Sequence, residues 1–429
     1  MAPLPKLLFA DPRGEVLEHP TLLATARSGE HLGPPVGIPI PLPTHAQLVR
    51  MPGRAPVGLD PSTGRLVLVD EVVLGRRNIE AQAVGAVLPP GFTRTLLPGE
   101  VLRGGPALPQ WAYTAAGWSR KGPVVWARRT DRRNHWSPAR FSTPDLKRRV
   151  EAARRRFPGN RVIEQLTKCA LVYRCFTSQN VFYRRDEGAL PASVACNAAC
   201  VGCISEQPED GPPASHARID QGPSAEEMAD VGAHHLATSG GRTMVSFGQG
   251  CEGEPLTRYK AIADAIRLMR GRTRRGSVNL NTNASLPHGL AALLDAGLDA
   301  VRVSLNSACA DLYAAYYRPV RYGLAEVEAS LDLARRAGAY VALNLLVFPG
   351  VTDRSGEVDA LVRLVKRHRV HQVQARSLCI DPATYLEVAR GRGAGGEALG
   401  VAALLAALRR AQPGLVIGNF ARALGERGA

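Results

Sequence analysis

The sequence predicts an α/β protein: a partial parallel barrel of six β/α units, preceded by a smaller β-rich N-terminal domain. Three observations predict it. From about residue 190, short apolar runs alternate with amphipathic helical patterns, and such alternation implies parallel strands joined by right-handed crossovers. Six units are too few for eight-fold closure, which leaves an open or partial barrel. Residues 1 to about 110 are instead rich in Pro and Gly, with short apolar runs between turn signals, a pattern of strands and loops.

Taken in order, the runs 65–69, 72–74, 84–88 and 124–128 read as strands of the first domain. A helix is expected over 143–157, capped by Ser142 or Thr143 and stopped by Pro158-Gly159. Residues 192–195 form a short strand leading into a cysteine cluster. Ser224 and Glu227 have the spacing of a capping box, in which the hydroxyl and the carboxylate satisfy each other's backbone donors, so a helix runs to about 238. Strands follow at 243–247, 277–281, 300–305, 340–348 and 370–375. Between them lie helices at 258–270, 287–296, 324–337 and 357–368. The chain is expected to divide into a β-rich domain (1–140), a basic and aromatic connecting segment (141–185), the barrel (186–385) and a C-terminal helical extension (386–429).

Composition excludes several classes. Hydrophobic residues are 45% and charged residues 21% of 429, which argues against disorder. No apolar run is long enough to span a bilayer, and residues 1–12 lack the apolar core of a secretory signal, so no membrane partner and a cytoplasmic location are expected. The net charge of +16 is concentrated: residues 120–161 hold fourteen Lys or Arg against three acids. Such a field would attract a polyanion such as RNA. A solvated arginine-rich surface is the other reading, since only six of the 54 basic residues are lysines.

Catalytic groups on such a fold belong at the C-terminal ends of the strands, and the distinctive motifs fall there. Cys196, Cys200 and Cys203 lie in one loop after the first strand. Three thiolates at this spacing can wrap an iron–sulfur cube, leaving one iron without a protein ligand. A zinc site would want a fourth ligand, for which His216 is a candidate. The other five cysteines (Cys169, Cys175, Cys251, Cys309 and Cys379) are scattered. A second cluster drawing on Cys169, Cys175 and Cys379 matches no signature. Cys251 reads as a small buried residue, or else as a proton or hydrogen donor or the carrier of a covalent intermediate beside the site.

With its CxxxCxxC loop, the sequence resembles the radical SAM superfamily over roughly residues 186–385. Gly253-Glu254-Pro255 is similar to the family's glycine-glycine-glutamate segment, with Glu252 in place of the first glycine. Asn281-Thr282-Asn283, Ser304 on the fourth strand, and the turn Phe348 to Asp353 are similar to further family motifs, in the same order at strand ends. The chain as a whole also looks similar to a group of bacterial radical SAM proteins with a long N-terminal region, and that likeness supplies no substrate.

The resemblance implies a [4Fe-4S] cluster on Cys196, Cys200 and Cys203, with S-adenosyl-L-methionine chelated at the open iron. It implies reductive cleavage to a 5′-deoxyadenosyl radical, and an electron donor of flavodoxin or ferredoxin type. Glu254 is the expected acceptor for the methionyl ammonium. Gly253, with Gly248 and Gly250, would let the backbone approach the cofactor. Asn283 and Ser304 could bond the ribose or carboxylate, or serve as local strand-end caps. One departure stands out: the family often has an aromatic residue before the third cysteine, here Gly202, so adenine packing must come from elsewhere. Arg302, Asn306, Asn344, Arg376 and Cys379 are expected to point into the barrel, as substrate contacts or as satisfied interior polar groups. The substrate stays open between RNA, a peptide or protein, and a small molecule. An iron–sulfur protein without turnover is the alternative from another class.

Overall fold

The computed structural model describes residues 3–209, 211–240 and 242–425 of the chain. The ends of the two terminal segments expected above, residues 1–2 and 426–429, lie outside the described residues.

The second half is a half-barrel. Seven parallel strands pair in sequence order: β1 (Glu187–Ala189), β2 (Met244–Phe247), β3 (Ser277–Thr282), β4 (Ala300–Leu305), β5 (Tyr340–Val347), β6 (Gln372–Ser377) and β7 (Val416–Gly418). An α/β partial barrel with a β-rich N-terminal region is thus the architecture. Two expectations change. The first strand lies at 187–189 rather than 192–195, because the amides of Ala192 and Ser193 donate to a carboxylate, Glu252, and not to a neighbouring strand. The C-terminal extension is not wholly helical, since it returns a seventh strand to the free edge of β6, with Gln372 opposite Val416 and Gln374 opposite Gly418. That run was too short to read as a strand from pattern alone.

The helices are α1 (Leu146–Arg156), α2 (Arg161–Leu171), α3 (Phe176–Tyr183), α4 (Ala225–Thr238), α5 (Tyr259–Arg272), α6 (Pro287–Asp295), α7 (Ala310–Tyr317), α8 (Leu324–Arg336), α9 (Ser355–Arg367), α10 (Pro382–Ala389) and α11 (Val401–Ala411). The capping box of α4 forms as read, and Glu227 also holds Arg161 at the start of α2. Helix α1 starts later than expected, at Leu146, because the Thr143 hydroxyl bonds Asp145, which takes the cap position. Helix α7 was not anticipated.

Parallel pairing puts alternate strand residues on opposite faces. On the convex face Val245, Val278, Val303 and Leu343 join Ile262, Leu290, Leu331 and Leu361 of the helices in one buried core. The concave face carries Ser246, Asn279, Asn281, Arg302, Ser304, Asn344, Gln374 and Arg376. Strands buried on both sides are normally apolar throughout, so this polar interior marks a working face.

The N-terminal region is antiparallel. Its largest sheet has ten strands, with Lys6–Ala10 bonded to Val16–Ala24, Gln82–Val87 and Ala116–Ser119. It sits over the C-terminal ends of β5 and β6. Thr93 Oγ1 donates to Ala375 O (2.6 Å), Arg94 N to Ser377 Oγ (3.0 Å) and Gly29 N to Pro349 O (2.9 Å). Arg54 forms a fully buried ion pair with Asp381, the N-cap of α10. Among the described residues no helix is long and apolar enough to cross a membrane.

His235 of α4 supports the first strand from behind. It is buried, its Nε2 lies 3.2 Å from Asp186 O and its Nδ1 3.3 Å from Ser239 Oγ, and burial lowers its pKa to about 4. The unfolded chain takes up this proton near pH 6.5, the folded one only near 4. Stability is therefore full above pH 6.5 and falls as the pH drops from 6.5 towards 4. Urea midpoints are expected to report a loss of about 2 kcal/mol between pH 7.5 and 5, and His235→Gln is expected to remove that part of the slope.

Candidate functional site

The cysteine loop hangs between two supports. On one side Gly253 N donates to Ser193 O (2.8 Å) and Glu254 N to Ala195 O (2.9 Å), fixing the approach to Cys196. On the other, Val201 N donates to Tyr316 O and Val320 N to Asn197 O, both at 2.9 Å, tying the loop to the end of α7. Cys196, Cys200 and Cys203 are free and half-buried, and all three line one cavity of about 630 Å³. Gln110, Arg318 and Asp381 also line it, so the N-terminal region closes one wall.

Burial raises the Cys196 and Cys200 pKa values, and for Cys200 the neighbouring Cys203 and Cys196 raise it further. Two thiols that resist ionisation, with a third beside them, are what a bound cationic cluster would relieve. Arg218 adds a fixed positive charge 4.0 Å from Cys203 Sγ, itself paired with Glu206 at 2.7 Å. Nothing in the loop 204–223 distinguished Arg218 in the sequence. Among the described residues no three His, Cys, Asp or Glu side chains converge closely enough to hold a single metal ion. The mononuclear zinc arrangement completed by His216 is thus not formed: the His216 ring packs on Tyr173, with centroids 5.0 Å apart, and lies against Cys175. Three thiols around a wider cavity, with no fourth ligand, suit a cube of irons with one open position.

Two buried glutamates organise the neighbouring loop. Glu252, which sequence reasoning treated only as a departure, accepts four backbone N–H bonds: Oε2 from Ala192 (2.7 Å) and Ser193 (2.9 Å), Oε1 from Gly248 (2.7 Å) and Gln249 (2.9 Å). Glu254 accepts from Leu256 N at Oε1 (3.0 Å), from the Thr282 hydroxyl, and from Asn283 N at Oε2 (2.8 Å). Each is 4% exposed, and burial pushes each pKa up to about 7. Asn283 continues the chain of contacts, its Nδ2 donating to Asn197 Oδ1 (2.9 Å) in the cysteine loop. The predicted residues Cys196, Glu254 and Asn283 therefore form one connected unit, whereas Ser304 stands apart from it, on the concave face beside Asn344.

The glycines answer to the protein's own backbone. A Cβ at Gly253 would sit 2.0 Å from Ala195 O, and one at Gly248 (φ +79°) 1.8 Å from Asn281 O. Their small size brings the loop against the segment before Cys196 and against β3, which accounts for them without any cofactor contact. Gly202 is explained in the same way: a Cβ there would lie 2.7 Å from the Tyr316 hydroxyl. The aromatic residue missing from position 202 is thus replaced in space by Tyr316 of α7, whose pKa is raised by burial and then by Cys200.

Of the other inward candidates, Arg302, Asn344 and Arg376 lie on the concave face. Asn306 does not, because its amide donates to Leu312 O and Tyr385 OH and is spent on anchoring α7 and α10. Cys379 lies beyond β6, beside Arg94 and Arg376. Cys169, Cys175 and Cys251, scattered in sequence, come together behind the Glu252 loop, with Cys251 only 2% exposed.

The Gly202–Tyr316 contact can be tested directly. Gly202→Ala is expected to cost about 1–3 kcal/mol of stability through overpacking, and Tyr316→Phe, by removing the hydroxyl, is expected to recover most of it. Urea midpoints of the two single variants and the double variant measure the coupling.

Residues 190–364 match the family model for the radical SAM superfamily. No curated protein matches the chain. Among solved structures, a radical SAM methyltransferase from Sphaerobacter thermophilus is 18% identical, with 49% of this chain and 64% of that one covered and a TM-score of 0.34. SuiB from Streptococcus suis, bound to S-adenosylmethionine, is 15% identical, with 44% and 39% covered and a TM-score of 0.33. The FeFe-hydrogenase maturase HydG from Carboxydothermus hydrogenoformans is 13% identical, with 62% and 68% covered and a TM-score of 0.35. The chain thus spans less than two thirds of the length of the first two. Residues 190–364, which lie within the half-barrel of parallel strands, are thus a radical SAM domain.

Proposed function

We propose that Cys196, Cys200 and Cys203 hold a [4Fe-4S] cluster and that S-adenosyl-L-methionine binds between it and the loop carrying Glu254. The observation that carries this reading is the connected unit of three thiols around one cavity, joined through Asn197 and Asn283 to a buried glutamate. When bound and reduced by a flavodoxin- or ferredoxin-type donor, cluster and S-adenosylmethionine together supply a 5′-deoxyadenosyl radical for hydrogen abstraction.

The chain's own groups bind, orient and keep water away. Glu254 offers a carboxylate with lone pairs beyond its three internal bonds, and a neighbouring ammonium would favour its charged form. Gly253, having no side chain, lets the Glu254 loop close against Ala195, the residue before Cys196. Asn283 and Ser304 offer polar groups at the ends of β3 and β4. Tyr316 supplies the aromatic surface that position 202 lacks. Arg218 balances the negative charge of a thiolate-bound cluster.

A second reading concerns the substrate. Lys147, Arg148 and Arg155 of α1 and the neighbouring Arg128 and Arg129 are exposed, a basic surface suited to RNA. Three arginines of the same segment are engaged by acids: Arg149 by Asp145, Arg154 by Glu164 and Arg161 by Glu227. RNA affinity that falls steeply with salt would favour this reading.

Anaerobic reconstitution with iron and sulfide, reduction, and addition of S-adenosylmethionine are expected to yield 5′-deoxyadenosine. Cys200→Ala is expected to lose both the iron–sulfur absorbance and at least 100-fold of that product. Iron–sulfur absorbance unchanged in Cys200→Ala would overturn the ligand assignment.

A further inference from the structure

The concave face of the sheet has more hydrogen-bond donors than acceptors. Gln374 Oε1 is shared by two guanidinium groups, Arg302 Nη1 at 3.3 Å and Arg376 Nη2 at 3.2 Å. Glu187 Oε1 accepts from Ser246 Oγ at 2.7 Å and lies 3.5 Å from Arg302 Nη2. Asn281 Oδ1 accepts from Asn279 Nδ2 at 2.8 Å. Each of these acceptors is already serving a donor. On the same face Asn281 Nδ2, Gln374 Nε2 and Arg376 Nε are buried and have no protein partner. These three are N–H donors; against them, Gln372 Oε1, further down the same strand, is a buried acceptor without a protein partner.

The charges lean the same way. Arg302 and Arg376 face Glu187, and Asp131 approaches Arg376 from the N-terminal side, where its carboxylate is already engaged by the Arg133 and Asn419 amides. Arg94 comes in from above, its guanidinium donating to the carbonyls of Tyr113 and Leu378. Arg302 and Arg376 thus share Glu187, Asp131 reaches Arg376, and Arg94 lies beside Cys379 and Tyr385 instead. Burial holds Arg376 and Arg94 down to about 10. A buried cation without an acidic partner, beside amide donors without acceptors, is costly. A ligand bringing oxygen acceptors and negative charge would remove both costs. Arg302, Ser304, Asn344 and Arg376 keep partial exposure, so the face is not filled by the protein's own side chains.

We propose that this face holds the substrate by an oxyanion group, a carboxylate or a phosphate, with Arg376, Gln374 and Asn281 as donors and Arg302 as the second charge. The assignment rests on the reading above in one respect only: the anion belongs to the molecule that the radical attacks. It gives the open substrate question a chemical class.

The reconstituted enzyme would be titrated anaerobically with sodium phosphate and, separately, sodium acetate at constant ionic strength, and the thermal midpoint followed. A saturable rise of about 1–3 °C is expected with one of them, and which one responds separates phosphate from carboxylate. Arg376→Gln is expected to abolish the rise. Gln374→Glu places a carboxylate between the two arginines. It is expected to raise the midpoint without any anion and to lose the response, a gain that mere damage to the fold would not produce. No rise, or an equal rise in all three proteins, would overturn the proposal. Equilibrium binding of S-adenosylmethionine is the last arm. If Arg376→Gln weakens it tenfold or more, the anion held here is the methionyl carboxylate, and the substrate assignment fails. Absence of 5′-deoxyadenosine from the unmodified enzyme would count against the proposed function while leaving the anion titration readable.

Discussion

The carboxylate of Glu252 is the contact on which the site depends. It accepts two amides from the segment entering the cysteine loop and two from the loop after β2. Those amides would otherwise be unpaired donors in a dry interior, each costing about 1–3 kcal/mol. By collecting all four, one side chain brings together two chain segments about 60 residues apart in sequence. Gly253 and Glu254 follow directly and continue the junction through backbone bonds to Ser193 and Ala195. The position of Cys196 against Glu254 is thus a consequence of how Glu252 is satisfied. Where the sequence departs from the family's double glycine, it exchanges flexibility for a fixed anchor.

A second constraint acts from outside the barrel. The N-terminal region would be free to swing if it met the sheet only through side chains. It meets it through backbone: Gly29 approaches Gly350 so closely that a Cβ on Gly350 would lie 1.8 Å from Gly29 N. Arg54 and Asp381 add an ion pair taken fully out of water, and Asp381 also receives the Leu108 amide at 2.8 Å. Buried pairs of this kind contribute little net stability but fix geometry, because breaking either half leaves a bare charge. The cavity that the three cysteines share is bounded on this side by Leu108, Gln110 and Asp381. Its shape is therefore set jointly by the two regions.

Much of the fold was legible because it rests on local rules. The capping box at Ser224 and Glu227 and the strand–helix alternation after residue 240 are periodic signals that short windows carry. The CxxxCxxC spacing was legible for the same reason. What escaped depends on distant partners. Residues 192–195 look like a strand, yet their amides belong to a glutamate. Helix α7 carries Tyr313, Tyr316 and Tyr317 on a buried surface and shows no polar face to give it away. Gly202 looked like a missing aromatic, and only the structure shows Tyr316 in that space. The convergence of Cys169, Cys175 and Cys251 follows from how α2 and the start of α3 pack on the loop after β2, and the donor surplus on the concave face follows from strand register, which a single sequence does not encode in any short window.

The seventh strand carries an implication for biogenesis. Strand order in the half-barrel follows chain order, so β6 is an open edge until Val416–Gly418 arrives. Asn419, immediately after, bonds both Ala375 O on β6 (3.0 Å) and the Thr130 hydroxyl of the N-terminal region (2.7 Å). The N-terminal region and the segment after β7 are therefore joined through Asn419. During synthesis the contact of the N-terminal region with Asn419 must wait until residue 419 has left the ribosome. Through that interval β6 presents unpaired backbone groups, a template for pairing with another chain. This protein is accordingly exposed to aggregation between the synthesis of β6 and that of β7, and what protects it then is the speed with which Val416–Gly418 closes the edge.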